Sequence, residues 1–439
     1  MTTPQKRSLR PLAGLLAALG VAVTGTRVSA IALPWFVLVT TGSTTQTGAV
    51  AFCEMAPYVL AKAFIGPLVD WTGPRVFSWS TDLVSACAAA LVPLLHALDL
   101  LSFWLLLVLV AVVGTARGPG DLAKEVMIPE AAERSRVGLE RAAGLSGTTE
   151  RLGATAGPAA GGALVALLGP MTGLVVNAVC FALGSLIIAV VLPHGMGGPA
   201  EPGKPGKFRK PGSGKGASPG EGAAGPGYWR RLGEGFAFLR GDPLLFALAV
   251  MIGVTNMLAA GFTTVLLPVW ARESGRGPSA VGLAAGVSGI MAVVASLIAA
   301  WVAHRMRRRV VFFTGFLLAG APRFLILATD APMWAVLAVF ALDGFGAGFL
   351  NPILGAIVFE RVPRHLLGRV QALGDSMAWA GIPFGGLLAG AVVASFGLAP
   401  ALVVGGVVYF LTTNLTGLRP EWREMDRLRR KRASDQSTE

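Results

Sequence analysis

Several ionisable residues stand inside long apolar runs of this sequence: Arg27, Glu54, Lys62, Asp82, Arg117, Asp121, Arg323 and Asp343. A charge at the centre of a bilayer costs about 2.5–3.5 kcal/mol on insertion scales, so such a side chain faces a partner or a wet cavity. Two kinds of chemistry are open to them. A carboxylate in a low-dielectric cavity holds its proton more firmly than in water, so it can load a proton on one face and release it on the other. Glu54 and Asp343 are the candidates for that step. Arg27 and Arg117 can bind an anionic group, or keep a carboxylate ionised until a substrate displaces it. The same side chains can instead form static interhelical ion pairs that lock packing. Lys62 and Asp82 lie nearer one surface, where they can snorkel or join a loop network. His96 and Asp99 fall at the opposite rim.

Other chemistries find no support. Cys53, Cys87 and Cys180 lie within apolar runs and have no C-x-x-C spacing, and the four histidines (His96, His194, His304, His365) are far apart. Neither a disulfide framework nor a metal site is expected. The chain contains no H-E-x-x-H and no G-x-S-x-G. Gly344-x-Gly346-x-Gly348 lies in an apolar run and follows no strand, so it reads as packing. The Gly-Lys pairs at 203–204, 206–207 and 214–215 are not followed by Ser or Thr, so no phosphate-binding loop is present. The expectation is a protein without cofactor or metal, and not an enzyme.

The elements that carry these charges follow from composition. Of 439 residues, 54% are hydrophobic and only 14% are charged, against about 25% charged in soluble domains. The apolar residues fall in runs of about 20, the length that crosses a hydrocarbon core of about 30 Å. Barrel strands would give alternating runs of about 10. The fold class is therefore an all-α membrane protein. Twelve spans are predicted, at 12–39, 49–69, 76–97, 102–124, 143–167, 170–192, 244–270, 280–303, 310–329, 332–358, 371–395 and 398–418. Glycine, 58 residues, suits closely packed membrane helices. The first run is too long for the apolar part of a signal peptide and lacks a small-residue cleavage site.

The spans divide six and six. Residues 1–193 form a first bundle, 194–243 a connecting segment and 244–439 a second bundle with a basic tail. Residues 195–227, rich in Gly, Pro and Lys, read as a flexible linker, and 228–240 as a short helix lying on the membrane surface. With the N-terminus inside, thirty of the 37 Lys and Arg fall in segments on that side, two (Arg272 and Arg276) on the other and five within spans. This asymmetry places both termini in the cytoplasm. It also accounts for most of the net charge of +13 without a nucleic-acid partner. The halves resemble each other: Gly157-Pro158-Ala159-Ala160-Gly161-Gly162 in the fifth span matches Gly381-Ile382-Pro383-Phe384-Gly385-Gly386 in the eleventh. Each follows a Pro-containing basic loop (128–136 and 362–369).

These residues resemble the major facilitator superfamily, in its 12-helix drug/proton antiporter branch that includes macrolide and siderophore exporters. The likeness covers nearly the whole chain. Gly153-x-x-x-Gly157-Pro158-x-x-Gly161-Gly162 is similar to the family's antiporter motif. Gly66, Leu68, Asp70, Gly73 and Arg75 match its loop after the second span, where Trp71 and Pro74 replace basic residues. Ala32-Leu33-Pro34-Trp35 followed by Thr41-Gly42-Ser43 is also typical of that branch. The resemblance implies two six-helix bundles around a central cavity lined by spans 1, 4, 7 and 10. Arg27, Arg117, Asp343 and Asn256 would then face the cavity, and Trp35, Phe36, Trp270 and Trp379 would stand near it. It implies gating roles for Gly153, Gly157, Pro158, Gly161 and Gly162, and a latch between the Asp70–Arg75 loop and Asp121. The expected activity is proton-coupled efflux of a small amphipathic compound by a plasma-membrane monomer. Uptake or lipid flipping on the same fold, and a non-transporting membrane receptor or enzyme, are the competing readings.

Overall fold

The computed structural model describes residues 9–65, 72–193, 195–196, 236–302, 308–362 and 367–415. Six helices form the first half: α1 (Arg10–Thr41), α2 (Thr44–Phe64), α3 (Pro74–Ala97), α4 (Phe103–Arg134), α5 (Leu139–Leu168) and α6 (Pro170–Val191). The second half repeats them. There α7 (Pro243–Glu273) contains a π-turn at Phe262–Leu266. It is followed by α8 (Gly277–Val302), α9 (Arg308–Leu318 and Ala321–Leu327), α10 (Met333–Arg361) and α11 (Leu367–Ala380 and Ile382–Phe396). The last element, α12, is Leu398–Phe410 with a closing π-turn, Leu411–Leu415. The linker and most of the surface helix expected over 228–240 lie outside the described residues.

Among the described residues ten helices are long and apolar enough to cross a bilayer. The other two are α2 and α12. The first turn of α2 is Thr44-Thr45-Gln46-Thr47, and Glu54 and Lys62 dilute its apolar content further. In α12 the apolar stretch is short, Leu398–Asn414. Local signals set the ends. Ser43, Ser102 and Asp242 accept backbone N–H bonds in the first turns of α2, α4 and α7, which satisfies donors that a helix start leaves open. Gly169 between α5 and α6, and Gly397 between α11 and α12, both adopt positive φ, 83° and 85°. That region is open to glycine at little cost. The same turn thus recurs at the same place in each half.

The largest departure from the expected boundaries is in the fourth span. The fourth span was expected to end at 124, with a Pro-containing loop at 128–136. Instead α4 runs on to Arg134, with Pro129 inside the helix. The extension is held because Met127, Ala131 and Ala132 are buried in one cluster with Leu12, Leu15, Ile188 and Leu192. Lys124 and Glu125 are therefore helical.

Packing repeats between the halves. In the first, α1 lies against α5 and α6, α2 against α4, and α3 against α4 and α6. In the second, α7 lies against α11, α8 against α10, and α9 against α10 and α12. The halves meet along two long seams, α2 with α11 and α5 with α8. Both seams need glycine. A Cβ on Gly162 would stand 2.6 Å from the Gly282 Cα, and one on Gly48 would meet the Gly386 carbonyl oxygen. At the end remote from the termini the seams close further. Ile31 and Leu38 of α1 join the core of the second half beside Phe262, Val265, Leu266 and Val269 of α7. Trp35 packs against the cores of both halves at this closure. Toward the opposite end, Glu150 of α5 and Asp375 of α11 are exposed on the helices of the two seams.

Candidate functional site

Two helices carry a matched ladder of side chains where they pack together. Glu54, Tyr58 and Lys62 recur every fourth residue on α2, and Arg117, Asp121 and Glu125 do so on α4. Residues four apart share one face of a helix, and α2 and α4 run in the same direction, so the rungs align. Arg117 Nη1 lies 2.7 Å from Glu54 Oε1, the side chains being 8% and 17% exposed. The Tyr58 hydroxyl donates to Asp121 Oδ2 at 3.4 Å. Lys62 Nζ stands 2.9 Å from Glu125 Oε1. The Arg117 guanidinium also sits over the Tyr58 ring, 4.5 Å from its centroid. Gly114 and Gly118 make this approach possible, since a Cβ on either would meet the α2 backbone at Glu54 and Tyr58.

The ladder continues inward. Lys124 Nζ is 3.8 Å from Asp121 Oδ1 and 2.8 Å from Asp82 Oδ1, and Lys124 and Asp82 are each 1% exposed. Asp82 was expected near a surface, free to snorkel. It is instead enclosed between α4 and α6, where Gly120 and Gly184 leave room for its carboxylate and Lys124 pairs with it.

Arg27 stands apart. Its side chain is exposed, and among the described residues no carboxylate lies within ion-pair distance of it. The stem passes tightly over α5, where a Cβ on Gly157 would lie 2.5 Å from Arg27 Cβ. Glu150 on α5 is exposed. Asp375 on α11 is exposed and feels Lys62. One turn on, Trp379 stacks on Tyr58, with centroids 6.1 Å apart and planes 20° from parallel. The Lys62 ammonium lies 5.4 Å from the Trp379 centroid. Sequence reasoning missed Tyr58, Glu125, Glu150 and Asp375. The four-residue spacing on α2 and α4 was the available signal for the first two.

Asp343 is placed differently. It lies inside the second half, where Ser288 Oγ donates to its Oδ2 at 2.8 Å and Arg323 Nη1 stands 3.4 Å from its Oδ1. The Arg323 guanidinium is boxed by the rings of Phe262, Phe324 and Tyr409. Asn256 on α7 donates to the Ala378 carbonyl of α11 at 3.0 Å, so it ties two helices of the same half. Trp270 is buried under the Arg276 guanidinium, and Phe36 packs edge-on to His96.

The glycine motif forms the α5 side of these contacts. Gly153 faces Val23, Gly157 faces Arg27, Gly161 faces Val28, and Gly162 crosses to Gly282 of the other half. Its counterpart on α11 behaves alike: Gly381 and Gly385 face Met257, and Gly386 crosses to α2. Gly66 and Asp70 lie outside the described residues. Gly73 has φ 85° ahead of α3. Arg75 donates to the Ile188 and Ala189 carbonyls at the end of α6, while Asp121 is engaged by Tyr58 and Lys124.

Two pseudo-equivalent six-helix bundles that meet along two seams, with ionisable side chains on the helices beside them, are the architecture of a multi-pass membrane transporter, not of an enzyme. The model of the Major Facilitator Superfamily matches residues 15–275 and 250–432, and the chain belongs to that superfamily. It is 30% identical over 409 residues to the multidrug efflux pump Tap of Mycobacterium tuberculosis strain ATCC 25618 / H37Rv, covering 92% of each chain. It is 29% identical over 427 residues to Tap of Mycolicibacterium fortuitum, covering 95% of this chain and 97% of that one. The crystal structure of the nucleoside transporter NupG superposes with a TM-score of 0.68 at 15% identity, over 92% of this chain and 97% of that one. The protein is thus a secondary transporter of small molecules.

Proposed function

We propose that this transporter is a proton-coupled exporter of small amphipathic compounds, acting as a monomer in the plasma membrane with both termini cytoplasmic. The observation that carries the coupling is the Glu54–Arg117 ion pair, 2.7 Å long with side chains 17% and 8% exposed, between α4 and the helix α2 that meets the other half. Ionised, Glu54 is held by Arg117; protonated, it would release the guanidinium and loosen α2 from α4. Asp343, walled in by Arg323 and Ser288, is read as a fixed tie within its half. The name carried by the relatives supports export, and the Lys/Arg asymmetry supports the orientation. In that orientation the cavity opens inward. Gly153, Gly157, Pro158, Gly161 and Gly162 would let α5 rock on α1 and α8, and Gly66, Asp70, Gly73 and Arg75 would brace the cytoplasmic end.

The test is flux of a fluorescent drug in reconstituted vesicles under an imposed pH gradient. Wild type should pump only with the gradient. Glu54→Gln should lose gradient-driven flux by about tenfold or more while still binding the dye, and Asp343→Asn should retain flux if it folds. Gradient-driven flux at the wild-type level in Glu54→Gln would remove Glu54 from the scheme.

A further inference from the structure

Resting on the transporter reading, a second question is what kind of molecule the cavity holds. Most of the charges lining it are already spoken for: Glu54 by Arg117, Lys62 by Glu125, and Asp121 by Tyr58 and Lys124. Three are not. Arg27, Glu150 and Asp375 are exposed, and among the described residues none has an ion-pair partner. An exposed, unpaired guanidinium within a membrane-spanning helix is costly to keep and gains most from a carboxylate, which it can grip with two parallel N–H bonds.

The three charges are also segregated by depth. Arg27 lies opposite Gly157. Glu150 lies on the same α5 helix about two turns nearer the end that carries the termini, about 10 Å along the axis. Asp375 lies at a similar depth on α11, six residues before Gly381, as Glu150 lies seven before Gly157, its counterpart in the repeat. Between the two levels stands Trp379, 38% exposed, with Tyr58 behind it. The cavity therefore presents a positive group deep inside, negative groups toward its mouth and a flat aromatic surface between.

We propose that the cavity selects zwitterionic aromatic amphiphiles. An acidic group of the substrate binds Arg27, its planar body lies on Trp379, and its cationic end points to Glu150 and Asp375. Gly157 contributes by leaving room for the Arg27 stem. A lipophilic cation lacking the acid forgoes the Arg27 contact and meets like-charge repulsion from it.

Rhodamine B and its ethyl ester differ only in one carboxylate, and both carry the aromatic cation. Binding of each to the full-length protein in lipid nanodiscs, read by fluorescence anisotropy against empty nanodiscs, tests the proposal. Wild type should bind rhodamine B about tenfold more tightly than the ester, the worth of one charge-assisted pair. The preference should vanish in Arg27→Gln and persist in part in Arg27→Lys. Glu150→Gln combined with Asp375→Asn should weaken both dyes about equally. Equal binding of the two dyes by wild type, a preference that survives Arg27→Gln, or no binding of rhodamine B overturns the proposal. These equilibrium measurements use no gradient, so they fail separately from the exporter reading. Intact selectivity with no proton-driven flux would sink export alone.

Discussion

Lys124 reaches Asp82 at 2.8 Å in an interior where each side chain is only 1% exposed. Two ions so placed have lost nearly all hydration, and each is tolerable only because of the other. Removing one partner of a buried pair costs about 3–5 kcal/mol, whereas replacing both with apolar groups is often neutral. Asp82→Asn and Lys124→Met should each lower the melting temperature of the detergent-purified protein markedly. Asp82→Leu with Lys124→Met should recover most of the loss. A double variant no more stable than either single one would show that the pair is not the source of the cost.

Tyr58 joins the α2–α4 ladder to the opposite half. Its hydroxyl serves Asp121, and its ring serves both Arg117 and Trp379. Tyr58→Phe should cost about 0.5–1.5 kcal/mol, the net value of a hydrogen bond, and leave the stack intact. Tyr58→Ala should cost more and perturb transport. A double-mutant cycle between Tyr58→Ala and Trp379→Ala should return a coupling of about 0.5–1.5 kcal/mol. Additive effects would mean that the stack carries no energy between the halves.

The glycine seams predict a purely steric phenotype. Gly162→Leu places a side chain where the Gly282 backbone already stands, and Gly48→Leu does the same against the Gly386 backbone. Each half retains its own core, so both variants should insert in the membrane. Gradient-driven flux should fall to background, because the halves can no longer close along the seam. Leucine at Gly144, which has open space around it, is the control that should leave flux near wild type.

The sequence made the membrane class legible because runs of about 20 apolar residues admit few other uses. It showed the repeat through Gly157, Gly161 and Gly162 against Gly381, Gly385 and Gly386, and the structure gives each matched pair the same kind of neighbour. The partners of the charges were harder to read. Glu54 and Arg117 are 63 residues apart, and only the parallel register of α2 and α4 brings them together. Asp343 stood beside Glu54 as a proton-coupling candidate, yet Arg323 reaches it from α9 and closes it off. That difference lies in helix rotation, which a low-contrast apolar helix hides when nearly every face is hydrophobic. The end of the fourth span was misplaced for another reason. Pro129 suggested a loop, while packing of Met127, Ala131 and Ala132 against α1 and α6 kept the helix going.

Asp242 holds two posts at the start of α7. Its Oδ1 accepts from the backbone N–H of Leu244 and Leu245, and its carboxylate takes Arg361 Nε and Nη2 at 2.8 and 3.2 Å. The first half has a parallel arrangement, in which Ser135 at the end of α4 accepts from the Leu12 N–H at the start of α1 at 3.2 Å. In both, the fourth helix of a half anchors the first turn of its first helix. Asp242→Asn keeps the cap and loses the ion pair; Asp242→Ala loses both. The cap alone is worth about 1 kcal/mol, so the alanine variant should be the less stable of the two. Hydrogen exchange should quicken at Leu244–Phe246 in Asp242→Ala and change little there in Asp242→Asn. Equal exchange in the two variants would mean that Arg361, not the cap, secures α7. The start of that helix would then depend on α10 rather than on its own first turn.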